Sequence, residues 1–275
     1  MPVETSKLAL LCQNDWGGRE ERVVRQVALQ TDIPVLGASL EGIECYAARL
    51  ARGACVPVGT VEFVRRAMGL AGIAEPGNLS YPSALRHYLH REVEQREAGS
   101  VLGRWFVKPV TTKAFTGFVF DTLDDPAHLS CHHRAQHNAF LALEPRSRVW
   151  VSEPVSWVSE VRYYVLDGEI LGEGRYDDGA DEAPLPDTAV VHEMASRFSA
   201  SRWAPVAFAL DVGVLESGLT ALVEVNDAWA LGFYSGTLAP SQYVQLLMRR
   251  WQQLCAQKFL QGRAQSARAE EASWH

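Results

Sequence analysis

The sequence predicts an α/β protein whose later part becomes α+β. Three observations carry this. The first hundred residues alternate short apolar runs with helically spaced ones, as in a parallel layer flanked by helices. Two later stretches, around Asp167-Gly168 and Glu216-Ser217-Gly218, read as antiparallel hairpins. At ~150 residues per folding unit, 275 residues make about two units.

In the first passage Lys7–Cys12 (KLALLC) reads as a buried strand, followed by a turn-rich loop over Gln13–Gly18. Glu20–Leu29 carries Val23, Val24 and Val27 at helical spacing. Ile33–Leu36 and Ala54–Val58 read as further strands, Val61–Met68 as a helix, and Tyr81–Arg96 as a charged surface helix presenting His87, His90 and Arg91 to solvent. In the second passage, Arg104–Pro109 and Phe118–Phe120 read as strands joined by a loop rich in Thr, Lys and Gly. Its backbone N–H groups and lysines could fold over phosphates.

The third passage holds the strand Val149–Ser152 and two alternating runs around Asp167-Gly168, then an acidic loop, Asp177–Pro186, expected to be mobile. Asp187 or Thr188 caps a helix reaching Phe198. Val206–Leu215 and Leu219–Asn226 form the second hairpin, Gln242–Phe259 is an amphipathic closing helix, and Gln261–His275 is expected to be a frayed tail.

Composition excludes several classes. Twenty-six Lys+Arg against thirty-three Asp+Glu leave a net charge of −7, which argues against broad binding to nucleic acid or an anionic membrane. No apolar stretch approaches the ~18–20 residues that span a bilayer, and the apolar core of the first residues is too short for a secretory signal. Five scattered cysteines without a C-x-x-C pair read as reduced thiols, so a cytoplasmic protein is expected.

The residues that point to chemistry are Asp211, Glu224 and Asn226. Asp211 interrupts the apolar strand Phe208–Gly213, and Glu224 and Asn226 alternate with Val223 and Val225, so both face one side of the neighbouring strand. Singly, each reads as a solvent-facing residue of an amphipathic sheet. Together, two carboxylates and an amide oxygen are hard ligands suited to Mg²⁺ bridging nucleotide phosphates. Glu153, before Pro154, stands where one lobe passes into the next and an exposed backbone can read an adenine edge. Glu160 can accept from ribose hydroxyls. Both could equally be an ordinary loop acid and an ordinary strand acid.

The order Val107-Lys108-Pro109, a Thr/Gly hairpin, Glu153 with Glu160, then Asp211 with Glu224 and Asn226 resembles the ATP-grasp superfamily, whose metal-binding Glu-x-Asn strand is similar to Val223-Glu224-Val225-Asn226. Within it, the chain resembles a divergent bacterial and phage group related to the eukaryotic cell-division-cycle protein that assembles a translation initiation factor. The resemblance implies an ATP-grasp fold behind an N-terminal parallel α/β domain. The expected division is an N-terminal domain at 1–98, a small lobe near 99–153, a large lobe near 154–262 and a flexible tail at 263–275.

The same resemblance implies site roles. Lys108 would contact the α- and β-phosphates, with Lys113, Thr116 and Gly117 in the covering loop. Glu153 would mark the adenine hinge, and Glu160 would bind ribose. Asp211, Glu224 and Asn226 would hold Mg²⁺, and Arg162 and Arg175 would contact the γ-phosphate or an acylphosphate. The implied reaction joins a carboxylate to an amine, on a small molecule or peptide, at the expense of ATP. The alternative is an assembly factor that binds ATP and Mg²⁺ and clamps a protein partner without forming a bond. Two positions depart from many family ligases: Ala209 stands where an Arg precedes the metal Asp, and Asp227-Ala228-Trp229-Ala230 replaces a Pro-Gly turn.

Other signals are set aside. Cys131–His137 has His133 and His137 four apart but lacks the Glu of H-E-x-x-H and a second ligand pair. Trp150, Trp157, Trp203 and Trp229 read as core and lobe-interface packing. Neither G-x-G-x-x-G, the Walker pattern nor the kinase H-R-D and D-F-G motifs occur.

Overall fold

The computed structural model describes residues 8–111 and 114–272. The chain opens with β1 (Ala9–Gln13), α1 (Arg19–Gln30), β2 (Val35–Ala38), α2 (Ala47–Ala51), β3 (Cys55–Val58) and α3 (Val61–Ala71). The three strands form a parallel sheet in the order β2-β1-β3. All five residues of β1 are buried, which explains why it reads as an unbroken apolar run rather than an alternating one. Thr60 starts α3 by accepting a hydrogen bond from the Phe63 N–H, and Gly72, at φ +67°, ends it.

The expected helix over 81–96 does not form. Residues 83–89 make a 3₁₀ helix that stops at His90 (φ 50°), and the chain then extends as β4 (Val93–Glu97). Val93-Glu94-Gln95-Arg96-Glu97 pairs along β7 (Arg148–Ser152), and that sheet edge outweighs local helical preference. With β5 (Arg104–Pro109) and β6 (Phe118–Asp121) these strands form an antiparallel sheet ordered β4-β7-β5-β6. β4 thus belongs to the small-lobe sheet although it precedes residue 99. The helix α4 (Cys131–Leu141) packs Phe140 against Phe115, Phe118 and Phe120.

The last sheet, ordered β11-β10-β8-β9, is antiparallel: β8 (Trp157–Leu166), β9 (Glu169–Arg175), β10 (Ala207–Leu215) and β11 (Thr220–Asp227). Asp167 (φ 50°) and Gly168 (φ 88°) both lie in the left-handed region, the requirement of the tight turn that joins β8 to β9. Asp187 caps α5 (Thr188–Ser199) through the Ala189 N–H.

Alternation along β10 assigns its two faces. Phe208, Leu210 and Val212 pack with Val191, Met194 and Phe198 of α5. Ala207 and Ala209 turn the other way, joining a core shared with the parallel layer and with α6 (Pro240–Ala272). Asp211 continues this second row. The closing helix continues into the expected frayed tail as far as Ala272, because Ala, Gln, Arg and Glu sustain a helix and no proline interrupts it. Trp203 departs from the expected packing: it is 67% exposed, with the Arg202 guanidinium over its ring. Among the described residues, no helix is long and apolar enough to cross a membrane.

Candidate active site

Between the two antiparallel sheets lies a cavity of about 530 Å³. Lys108 comes to it from β5, Arg162 and Glu160 from β8, Asp211 from β10 and Glu224 from β11. Thr116 and Gly117, at the end of the β5–β6 connection, line one side, and Ser152–Val155, the passage from β7 to β8, lines another. A second cavity of about 790 Å³ shares Lys108, Thr116, Gly117, Arg162, Glu224 and Tyr234 with the first and extends to Glu20 and Glu62 of the parallel layer.

Gly117 is where the covering turn meets the small-lobe sheet. A Cβ there would stand 2.6 Å from Phe106 Cζ, so a larger residue must displace either the turn or the Phe106 ring. Gln136 Oε1 on α4 accepts the Thr116 N–H at 2.8 Å and holds the turn from outside. Lys113 lies outside the described residues.

The Lys108 ammonium is half-buried, pairs with the Glu224 carboxylate and donates to Ser80 Oγ at 2.9 Å. Burial pulls its pKa down to about 8; the Asp211 charge opposes this, and the nearby Arg162 and Arg91 guanidiniums reinforce it. Arg162 and Asp211 face each other in register across β8 and β10. Nε donates to Oδ1 and Nη2 to Oδ2, both at 2.7 Å, and Asn226 Nδ2 adds a bond to Oδ2 at 2.9 Å. Burial would lower the guanidinium's pKa, but the Asp211 charge and its hydrogen bonds more than offset that and raise it. Ala209 leaves the place two residues before Asp211 without a cation, and the neighbouring strand supplies one.

This geometry tests the expected metal set. Asp211 is 2% exposed and both its oxygens are committed to protein donors, so it does not fit as a metal ligand. Glu224 and Asn226 do fit. Both line the larger cavity, Glu224 uses one oxygen on Lys108, and Asn226 spends its amide nitrogen, leaving its carbonyl oxygen as a hard donor. No group of three or more His, Cys, Asp or Glu among the described residues is placed to hold a metal ion. His133 instead meets the Val119 carbonyl, and His137 is buried beside Phe120.

Glu153 is exposed at the cavity edge, with its carbonyl accepting from Ser152 Oγ. Glu160 lines the cavity and accepts from the Tyr176 hydroxyl at 2.9 Å; burial raises its pKa, which the tyrosine partly offsets. Arg175 does not join the others. It forms a two-bond pair with Asp177, at 2.8 and 2.7 Å, and lines neither cavity. Asp177 also accepts from the Glu160 and Gly179 amides, and Pro184 O accepts from Ser159 Oγ, so the acidic loop expected to be mobile is tied down at both ends.

Sequence reasoning missed several cavity residues. Arg91, expected at a solvated face, bonds the Leu222 and Val223 carbonyls of β11 and lies 5.3 Å from the Trp157 ring. Tyr176 and Tyr234 stack on each other and flank the Arg162 guanidinium at 5.8 and 4.9 Å. Tyr164 holds Tyr234 there: its hydroxyl accepts the Tyr234 N–H at 2.8 Å and donates to Gly232 O at 3.0 Å. The only local signal for these residues was the aromatic content of their segments.

A family model described as an ATP-grasp domain, clade family 3, matches residues 51–254. No curated protein matches the chain by sequence. Among solved structures, N5-carboxyaminoimidazole synthetase from Staphylococcus aureus is similar with a TM-score of 0.52 at 10% identity, over 88% of this chain and 77% of that one. D-alanine–D-alanine ligase from Bacillus anthracis complexed with ATP gives 0.50 at 12% identity, over 95% and 99%. The ATP-grasp ligase PsnB complexed with a minimal precursor gives 0.50 at 12% identity, over 88% and 99%. At such identities these likenesses establish the fold alone.

Proposed function

The chain belongs to the ATP-grasp domain family, clade family 3, and from that premise we propose that it is an ATP-dependent carboxylate–amine ligase. The observation that carries the reading is the convergence of Lys108, Arg162 and Glu224 on a cavity covered by the Thr116–Gly117 turn. Lys108 and Arg162 bring cationic donors under a backbone cover, an arrangement for holding phosphate.

In this reading the substrate carboxylate attacks the γ-phosphorus, the bond to the bridging oxygen breaks, and ADP leaves with that electron pair. The amine then attacks the acyl carbon, inorganic phosphate departs, and the amine proton passes to solvent. Lys108 and Arg162 hold phosphate oxygens, and the 114–117 turn excludes water that would hydrolyse the acylphosphate. Glu160 takes ribose hydroxyls, and the Glu153 segment receives adenine. A magnesium ion on Glu224 and Asn226 would supply further charge neutralisation. Arg175, paired with Asp177, acts on the cavity only by fixing the Glu160 amide. A cytoplasmic setting belongs to the same proposal.

The test is a screen of acids and amines for ADP release matched by new amide. Stoichiometric ADP and amide support the ligase. A second reading, the partner-clamping assembly factor, keeps the resemblance to the eukaryotic assembly protein and is favoured by exposed Trp203, an aromatic that a protein partner would cover. ATP binding without turnover across the panel would select it.

A further inference from the structure

We infer that Arg162 is the resident cation of Asp211, so that a nucleotide is held with one inorganic cation, at Glu224 and Asn226, and none at Asp211. The inference rests on the ATP reading above. Mg²⁺ needs ligand oxygens at about 2.0–2.1 Å in near-octahedral geometry and keeps several waters. Asp211 reaches the cavity wall, but it has almost no surface left for such a shell, and both its oxygens already serve protein donors. Each oxygen already accepts a guanidinium N–H at 2.7 Å, Oδ2 takes a third bond from Asn226, and the residue is 2% exposed.

The guanidinium is no casual occupant. It is placed by strand register, Asp211 opposite Arg162, and flanked by Tyr176 and Tyr234, the latter held by the Tyr164 hydroxyl. A guanidinium does not deprotonate in proteins and matches a carboxylate bidentately, so the pair persists at any working pH. Charge agrees. The Arg162 guanidinium balances the Asp211 carboxylate it faces, so a divalent ion there would have to displace a matched charge. The expected three-ligand cradle is therefore divided into an Asp–Arg clamp and a two-residue metal site.

The experiment counts Mn²⁺ ions by electron paramagnetic resonance on the full chain saturated with a β,γ-imido analogue of ATP. One ion per bound nucleotide in the wild type is expected, and two would overturn the inference while leaving the ATP reading intact. Calorimetry on the same samples separates the two: no nucleotide binding would remove the ATP reading and this inference with it. In Arg162→Met the Asp211 carboxylate is released, and the count is expected to rise to two; a folded variant that stays at one would show that Arg162 is not what excludes the ion. If that variant does not fold, the wild-type count decides.

Discussion

Lys108 and Glu224 meet across the gap between two sheets. The lysine leaves β5 of the small-lobe sheet, the carboxylate leaves β11 of the large-lobe sheet, and their charges pair within the cavity. Ser80, from the segment preceding the 3₁₀ turn, accepts from the same ammonium. Any phosphate entering the cavity competes with Glu224 and Ser80 for that ammonium.

Replacing Lys108 by alanine should therefore weaken ATP and ADP alike. A lost charged hydrogen bond of ~1.5–3 kcal/mol corresponds to a dissociation constant about 10–100-fold higher. Titration calorimetry reads this directly, and equal affinity in Lys108→Ala would exclude the residue from the phosphate site.

The pH dependence follows from the same group. With its pKa near 8, Lys108 is charged below that value and neutral above it. Attraction for phosphate is present at neutral pH and fades as pH rises through about 8. Bound phosphate favours the charged form, so binding at about pH 9 should take up a proton. Calorimetry in buffers of different ionisation enthalpy measures that uptake. An uptake as large in Lys108→Met as in the wild type would assign the proton elsewhere.

Gly117→Ala should disturb the cover without unfolding the small lobe. The added Cβ at 2.6 Å from Phe106 Cζ moves the turn, and misplacement of about 1 Å can cost ~100-fold in rate. The expected outcome is slower ATP turnover at nearly unchanged melting temperature. Phe106→Ala in the same chain should restore part of the rate; no recovery would locate the effect outside this contact.

Asp227 and Arg250 form an ion pair whose side chains are 7% and 5% exposed, linking β11 to α6. Arg250→Met leaves the carboxylate buried without its cation and should cost ~3–5 kcal/mol in urea unfolding. Asp227→Asn in the same chain should return part of that loss, although Asp227 also accepts the Trp229 N–H. A change under ~1 kcal/mol for Arg250→Met would mean water reaches the site.

Local features carried much of this architecture into the sequence. The alternation Val223-Glu224-Val225-Asn226 sets two polar side chains on one face of any strand it forms, and β11 presents them so. Asp167-Gly168 specifies a turn that few other dipeptides adopt. What stayed hidden depends on distant partners. Arg91 and Arg162 differ little in local context from surface arginines, and only the approach of β11 and β10 gives them carbonyls or a carboxylate to meet. Arg175 failed in the opposite sense: a neighbour two residues away, Asp177, captured it before the cavity could. The 83–97 segment has helical composition, but pairing with β7 decided its second half.

The core on the site's side of the large sheet is woven from the two ends of the chain and skips the small lobe between them. It takes Leu10 and Leu11 from β1, Tyr164 from β8, Ala209 from β10, and Tyr243 and Leu254 from α6. Lys258 adds a hydrogen bond to the Ala71 carbonyl at the end of α3. The parallel layer is therefore no detachable module. A chimera that exchanges only the first hundred residues would exchange half an interface, and its strands would keep their sequence but lose the surface they fold against. Grafting that layer onto a relative requires carrying α6 with it, so cavity-lining residues such as Glu20 and Glu62 are inherited together with the last helix rather than alone.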